Sequence, residues 1–270
     1  MNQHQEKLLG IIKFFHEFCV ENNLRYYITG GSLIGAMRHE GFIPWDDDID
    51  VAMPRPDYEK LLELLDGKQG RYILESPYSK AKDYGYTMSK IYDTSTTTIE
   101  TSKFKARRGV FLDVFPLDGI GNTNDEVTKN HRKIYWLNMF IATRTCAPRP
   151  ERSWYKNAAI YVSNIVPEKL LDTKKLICHL DKMCAKMSYD EYKYVGNLAG
   201  AYGLREIVDR SFFGEPKLYK FEDTYVYGVE KGDEYLTQIY GDWRQLPPED
   251  KRSSGHDFDF LDLNHSYLEE

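Results

Sequence analysis

Apolar residues at Leu8, Ile11, Ile12, Phe15, Phe18 and Cys19 recur at helical spacing, predicting an amphipathic helix that ends near Asn22-Asn23. Tyr26 to Thr29 then read as a short strand, Gly30-Gly31 as a tight turn, and Ser32 as the cap of a helix reaching His39. After Gly41 and Pro44 the pattern changes period. Asp48-Ile49-Asp50-Val51-Ala52-Met53 alternates polar with apolar, as a half-buried strand does, and Pro54 and Pro56 stop it. A helix over about 57–65 follows. Residues 71–115 read as several strands rich in Tyr, Thr and Ile, the last being Gly109 to Phe115.

Beyond Asp125 the period is again helical, with segments near 125–146, 153–165 and 167–187 separated by Ala147-Pro148-Arg149-Pro150 and by Pro167. Tyr235 to Tyr240 form a further helical turn or two before Leu246-Pro247-Pro248. The expected class is α/β (α+β): a mixed-sheet core flanked by helices over residues 1–120, and a mainly helical, aromatic-rich region over 121–270 packed on it. In the segment Trp154 to Val166 few charges interrupt the apolar and aromatic residues. A buried helix accounts for it, with peripheral lipid contact as the alternative.

Composition narrows the classes. A formal net charge of -6 argues against the broad basic surface that nonspecific nucleic-acid binding needs. No run approaches the roughly 20 apolar residues of a spanning helix, and the first residues lack a signal-peptide pattern, so a cytoplasmic protein is expected. Cys19, Cys146, Cys178 and Cys184 show no C-x-x-C spacing and read as reduced thiols. The histidines, His39, His179 and His256 among them, lack metal-site spacing and read as solvated or satisfied.

Residues two apart on a strand share a face, so Asp48 and Asp50 present two carboxylates side by side while Ile49 and Val51 point inward. Such a pair repels itself unless a cation intervenes, and Mg²⁺ typically uses a few carboxylates together with substrate phosphates. The competing reading of Asp46-Asp47-Asp48 is a solvated acidic turn. Upstream, Gly30-Gly31-Ser32 offers close backbone approach and a hydroxyl at a helix start, where free N–H groups favour anions. Asp46 is a reserve ligand, Asp47 is expected to face away, Asp118 reads as a turn residue past Pro116, and Glu222 carries no assigned role.

In this order the two motifs resemble the nucleotidyltransferase superfamily, whose third carboxylate matches Asp113 in F-L-D-V-F-P. The longer string I-T-G-G-S-L-I-G-A-M-R-H-E-G-F-I-P-W-D-D-D-I-D-V resembles the LicD family almost residue for residue, as do K-I-Y-D, D-V-F-P-L-D and Y-G-D-W-R-Q-L-P-P. That resemblance implies a phosphodiester-forming transferase moving phosphocholine from CDP-choline onto a cell-surface glycan or lipid-linked saccharide. It implies Asp48, Asp50 and Asp113 as catalytic ligands of Mg²⁺, or Mn²⁺, with Asp113 helping to deprotonate the acceptor hydroxyl. Gly31, Ser32, Arg38 and Lys90 are the expected phosphate or ribose contacts. For a quaternary ammonium, Trp45 and Trp243 are candidate aromatic faces. Ribitol or glycerol phosphate as cargo, true nucleotidyl transfer, and a non-catalytic nucleotide- or glycan-binding protein stay open. A lipid-linked acceptor implies work at the inner face of the membrane.

Overall fold

Helix α1 (Gln3–Glu21) begins with a capping box in which Asn2 and Gln5 satisfy each other's backbone N–H groups, and it buries the predicted apolar stripe. In the computed structural model, which describes residues 1–150 and 152–269, this stripe lies against a mixed sheet of ten strands flanked by seven helices. The main path of the sheet holds β1 (Tyr27–Ile28), β2 (Asp50–Pro54), β4 (Ser89–Glu100), β5 (Arg107–Gly121), β8 (Lys217–Phe221), β9 (Thr224–Gly228) and β10 (Phe258–Asp262). Their order is β10-β4-β5-β2-β1-β9-β8. Strand β3 (Tyr72–Glu75) pairs with β4, and β6 (Tyr194–Gly196) and β7 (Val208–Asp209) continue from β5.

Helices α2 (Gly30–His39) and α3 (Arg55–Leu65) connect the N-terminal strands. The C-terminal half supplies α4 (Asn124–Thr145), α5 (Trp154–Ser163), α6 (Thr173–Cys184) and α7 (Gly232–Tyr240). It also returns three short strands to the N-terminal ones: β9 pairs with β1, β10 with β4, and β6 with the far end of β5, while β8 pairs with β9 and β7 with β6. Strands of two to five residues carry too little periodicity to be read locally, and β6, β9 and β10 have partners far away in the chain.

Three expectations change here. Strand β5 does not stop at Phe115 but runs to Gly121, because β2 pairs with it as far as Leu117 and β6 takes over at Asp118. Asp118 is therefore a buried strand residue and not part of a turn: both its oxygens accept from Arg55, at 2.6 and 2.7 Å. Arg55 also donates to Asp181 of α6, which accepts from Tyr78 as well, so one buried network ties α3, β5 and α6 together. Helix α5 is not buried, since only Ile160 and Ser163 of its residues lie in the interior. No described helix is long and apolar enough to cross a membrane, and all four cysteines are free thiols.

Candidate active site

Strand β2 lies parallel to β5 with Asp50 opposite Asp113, and β4 places Lys90 opposite Asp113 on the other side. Ladder pairing starts at Asp50, so Asp48 sits in the segment just before the strand. The alternation nevertheless holds, because Ile49 is buried and its carbonyl accepts from the Asp113 N–H at 3.0 Å. Asp46, Asp47 and Asp48 bring one oxygen each to within 4.8 Å of one another. Buried Gln5 of α1 holds this segment from behind, donating to the carbonyls of Ile43 and Asp46 at 3.3 and 3.0 Å.

The two glycines make room for these carboxylates. Gly30 adopts φ +55°, and a Cβ there would stand 3.1 Å from Asp50 Oδ2; a Cβ at Gly31 would stand 2.9 Å from Asp46 Oδ2. Both belong to α2 itself, whose cap is Thr29, so Ser32 lies inside the first turn. Its hydroxyl accepts from the Asp50 N–H at 2.9 Å, which makes Ser32 a positioning residue for the carboxylate. The first turn of α2 thus lies beside the acidic cluster, and a helix N-terminus favours negative charge.

Crowding of like charge dominates the electrostatics. Burial raises the pKa of Asp50, and the charges of Asp48, Asp113 and Asp46 raise it further, against the opposing effect of Lys90. Asp46 is raised by burial and by Asp48, and Asp113 by burial and Glu100 despite Lys90. Lys90 is not a solvated lysine. It is buried, with Nζ 3.1 Å from Asp113 Oδ1 and 3.3 Å from Glu100, over the ring of Phe111. Even so, Asp113 Oδ1 has no aligned hydrogen bond. A buried carboxylate oxygen with an ion pair but no aligned hydrogen bond, a cluster of oxygen donors that cannot all ionise together, and space kept open by two glycines fit a hard divalent cation.

His256 is the residue that local reading missed. β10 carries the preceding Gly255-His256 across the acidic segment, where Asp47 accepts from the Gly255 N–H at 3.1 Å and lies 3.4 Å from His256 Nδ1. Asp47 thus meets the C-terminal segment and does not face away. Burial alone lowers a histidine, but the bond to Asp47 and the charge of Asp48 lift His256 to about 9, so it is a cation at neutral pH. No short-range spacing signals a partner 209 residues away.

Other expected contacts lie elsewhere. Arg38 sits at the far end of α2, about 12 Å along the axis from its first residue, and donates to the carbonyls of Trp243 and Gln245. Trp45 packs against the core with Arg252 over its ring. Trp243 is buried and donates to Asp233. Glu222 accepts from the Phe42 N–H, a structural bond. None of these four lines the cavity of about 530 Å³ that opens beside Gly30 and Asp50.

That cavity runs between the sheet, α4 and α7, and its aromatic wall is made of Tyr86, Tyr135, Tyr202, Tyr235 and Tyr240. Its size is that of a small-ligand site. Glu206 also lines it: burial, opposed by bonds from the Tyr202 N–H and Asn197, raises this carboxyl to about 7. Gly200 permits the approach, since a Cβ there would overlap the carboxylate.

Carboxylates on and just before parallel strands, beside the glycine-rich start of a helix, are the arrangement expected of a nucleotidyltransferase-type domain. Residues 23–152 match the family described as LicD/FKTN/FKRP, nucleotidyltransferase domain, so the chain carries a LicD family domain over that stretch. It is 29% identical over 264 residues, 95% of this chain and 96% of the relative, to the lipopolysaccharide cholinephosphotransferase LicD of Haemophilus influenzae. Over 89 residues, 32% of this chain and 18% of the relative, it is 29% identical to the human ribitol 5-phosphate transferase FKRP. An uncharacterized protein of Rickettsia prowazekii is 41% identical over 58 residues, 22% of each chain.

Proposed function

We propose that the protein transfers phosphocholine from CDP-choline to a hydroxyl of a cell-surface glycan or its lipid-linked precursor, releasing CMP. The broader reading, a phosphodiester-forming transferase, is supported by the LicD domain and by similarity along nearly the whole chain to a cholinephosphotransferase. One observation favours choline as the cargo: the cavity joining Asp50 has a tyrosine wall and a carboxylate, Glu206. Aromatic faces attract a quaternary ammonium by about 0.5–2 kcal/mol each, and an anion adds to that.

Asp48, Asp50 and Asp113 are the residues to hold Mg²⁺ or Mn²⁺, with Asp46 alongside them. The bound metal supplies charge neutralisation at the phosphate oxygens. The chain's own residues do the rest. Ser32 fixes the backbone of Asp50, and the N–H groups of α2 face the anionic donor. Lys90 fixes the orientation of Asp113, the carboxylate we assign to take the proton of the acceptor hydroxyl. The acceptor oxygen then bonds to phosphorus as the bond to CMP breaks. A lipid-linked acceptor places this work at the inner face of the membrane.

The test is CMP release by the purified protein with Mg²⁺ and, separately, CDP-choline, CDP-ribitol and CDP-glycerol, with and without extracted surface glycans. Release from CDP-choline that disappears in Asp48→Asn supports the reading. Release from a polyol donor alone overturns the cargo, and pyrophosphate release from a nucleoside triphosphate overturns the reaction class.

A further inference from the structure

Helix α5 has its polarity reversed. The side facing the protein is held by polar groups: Ser163 donates to the carbonyl of Thr143, Asn164 to the same carbonyl, and Asn157 to that of Arg149. Arg144, fully buried, clamps the far end through the carbonyls of Ser163, Val166 and Leu171. The apolar side chains point outward instead. Trp154 is 81% exposed, Ile165 75%, and Tyr161 and Val162 64% each, and Leu170 beyond the helix is 80% exposed. On α4, Trp136 at 67% and Phe140 extend the same kind of surface. Packing and hydrogen bonds fix this orientation, so the exposed face is built into the fold.

Charge separates this region from the rest of the chain. From Asn124, where α4 begins, to Leu170 there are eight Lys and Arg residues and four Asp and Glu, in a protein whose formal net charge is -6. Lys129, Arg132, Lys133, Lys156 and Lys169 are exposed and form no ion pair among the described residues. Lys129, Arg132, Lys133, Trp136 and Phe140 follow one another at helical spacing along α4. Tryptophan and tyrosine interleaved with lysine and arginine, on a face lacking the length to span, suit the plane of a lipid interface.

We propose that the outer face of α4, α5 and the segment to Leu170 docks on the surface of an anionic lipid bilayer. The apolar side chains enter the headgroup boundary and the flanking cations meet lipid phosphates. This does not depend on the transfer reaction, because docking is read with no donor present.

The experiment is co-sedimentation of the whole protein with phosphatidylglycerol-rich and with pure phosphatidylcholine vesicles. Binding to the anionic vesicles that weakens with added salt is the expected result. Trp154→Ser combined with Val162→Ser should bind about tenfold more weakly and Lys156→Glu about fivefold more weakly, with unchanged circular dichroism. Absence of binding to the anionic vesicles at low salt overturns the proposal. So does a wild-type dimer that the Trp154→Ser and Val162→Ser changes convert to a monomer without any vesicle binding, since the face is then filled by a second copy.

Discussion

Asp50 and Asp113 stand opposite each other on parallel strands, and each is destabilised as an anion by burial and neighbouring charge. Replacing either with Asn should lower metal-dependent turnover by more than about 100-fold, beyond the roughly 10–100-fold that follows loss of a group merely supporting a metal ligand. The thermal midpoint should hold or rise, because a crowded charge has gone. Calorimetric titration with Mn²⁺ and a melting curve check both halves, and retained Mn²⁺ affinity in Asp50→Asn would exclude it as a ligand. That this pair should lie on neighbouring strands of one site could be anticipated in the sequence, from the alternation of Asp48-Ile49-Asp50-Val51 and from the apolar neighbours of Asp113. Lys90 as the buried counter-charge and His256 as a second cation could not, since both partnerships cross between elements.

At the scale of elements, the Arg55, Asp118 and Asp181 network joins two layers of the fold through ion pairs that are nearly free of solvent. Removing one partner leaves an uncompensated buried charge, so Asp118→Ala should cost about 3–5 kcal/mol in urea unfolding. A loss below 1 kcal/mol, the range of exposed pairs, would mean the network is solvated. Arg144 anchors α5 in a similar way, with Glu168 bridging Arg144, Lys103 and Thr173. Burial opposes ionisation of Glu168, yet its bonds to Thr173 and Lys103 bring it down to about 2, from an ordinary 4.5. The folded value is the lower one, so this contribution is present above about pH 4.5 and is lost as the pH falls toward 2. In Glu168→Gln that acid-dependent part should vanish; hydrogen exchange of the α5 amides against pH measures it.

The cavity belongs to the whole molecule, because its walls come from residues as far apart as Thr29 and Tyr240. Glu206 gives it a pH dependence. The folded value of about 7 lies above the ordinary 4.5 because burial disfavours the anion. Its neutral form therefore favours the fold fully below about 4.5, and that advantage is lost as pH rises through about 7. The anion that then appears in the tyrosine-walled space should attract a quaternary ammonium. KM for a choline-bearing donor should accordingly fall as pH rises through 7 in the native protein. In Glu206→Gln this pH dependence should be flat, and an identical profile in both proteins would remove Glu206 from cargo binding.

Sequence by itself determined the carboxylate motif, the glycine pair, the helix periods and the mixed α/β class, because each is written in residues within one or two turns or strands of one another. Tertiary structure decided which carboxylates lie close together, that the Ser32 hydroxyl accepts from the Asp50 N–H, and that Arg38 and Trp45 stand apart from the cavity. It also decided that α5 turns its apolar face outward: periodicity records that a helix has an apolar side, but only the hydrogen bonds of Asn157, Ser163, Asn164 and Arg144 determine which side the protein keeps.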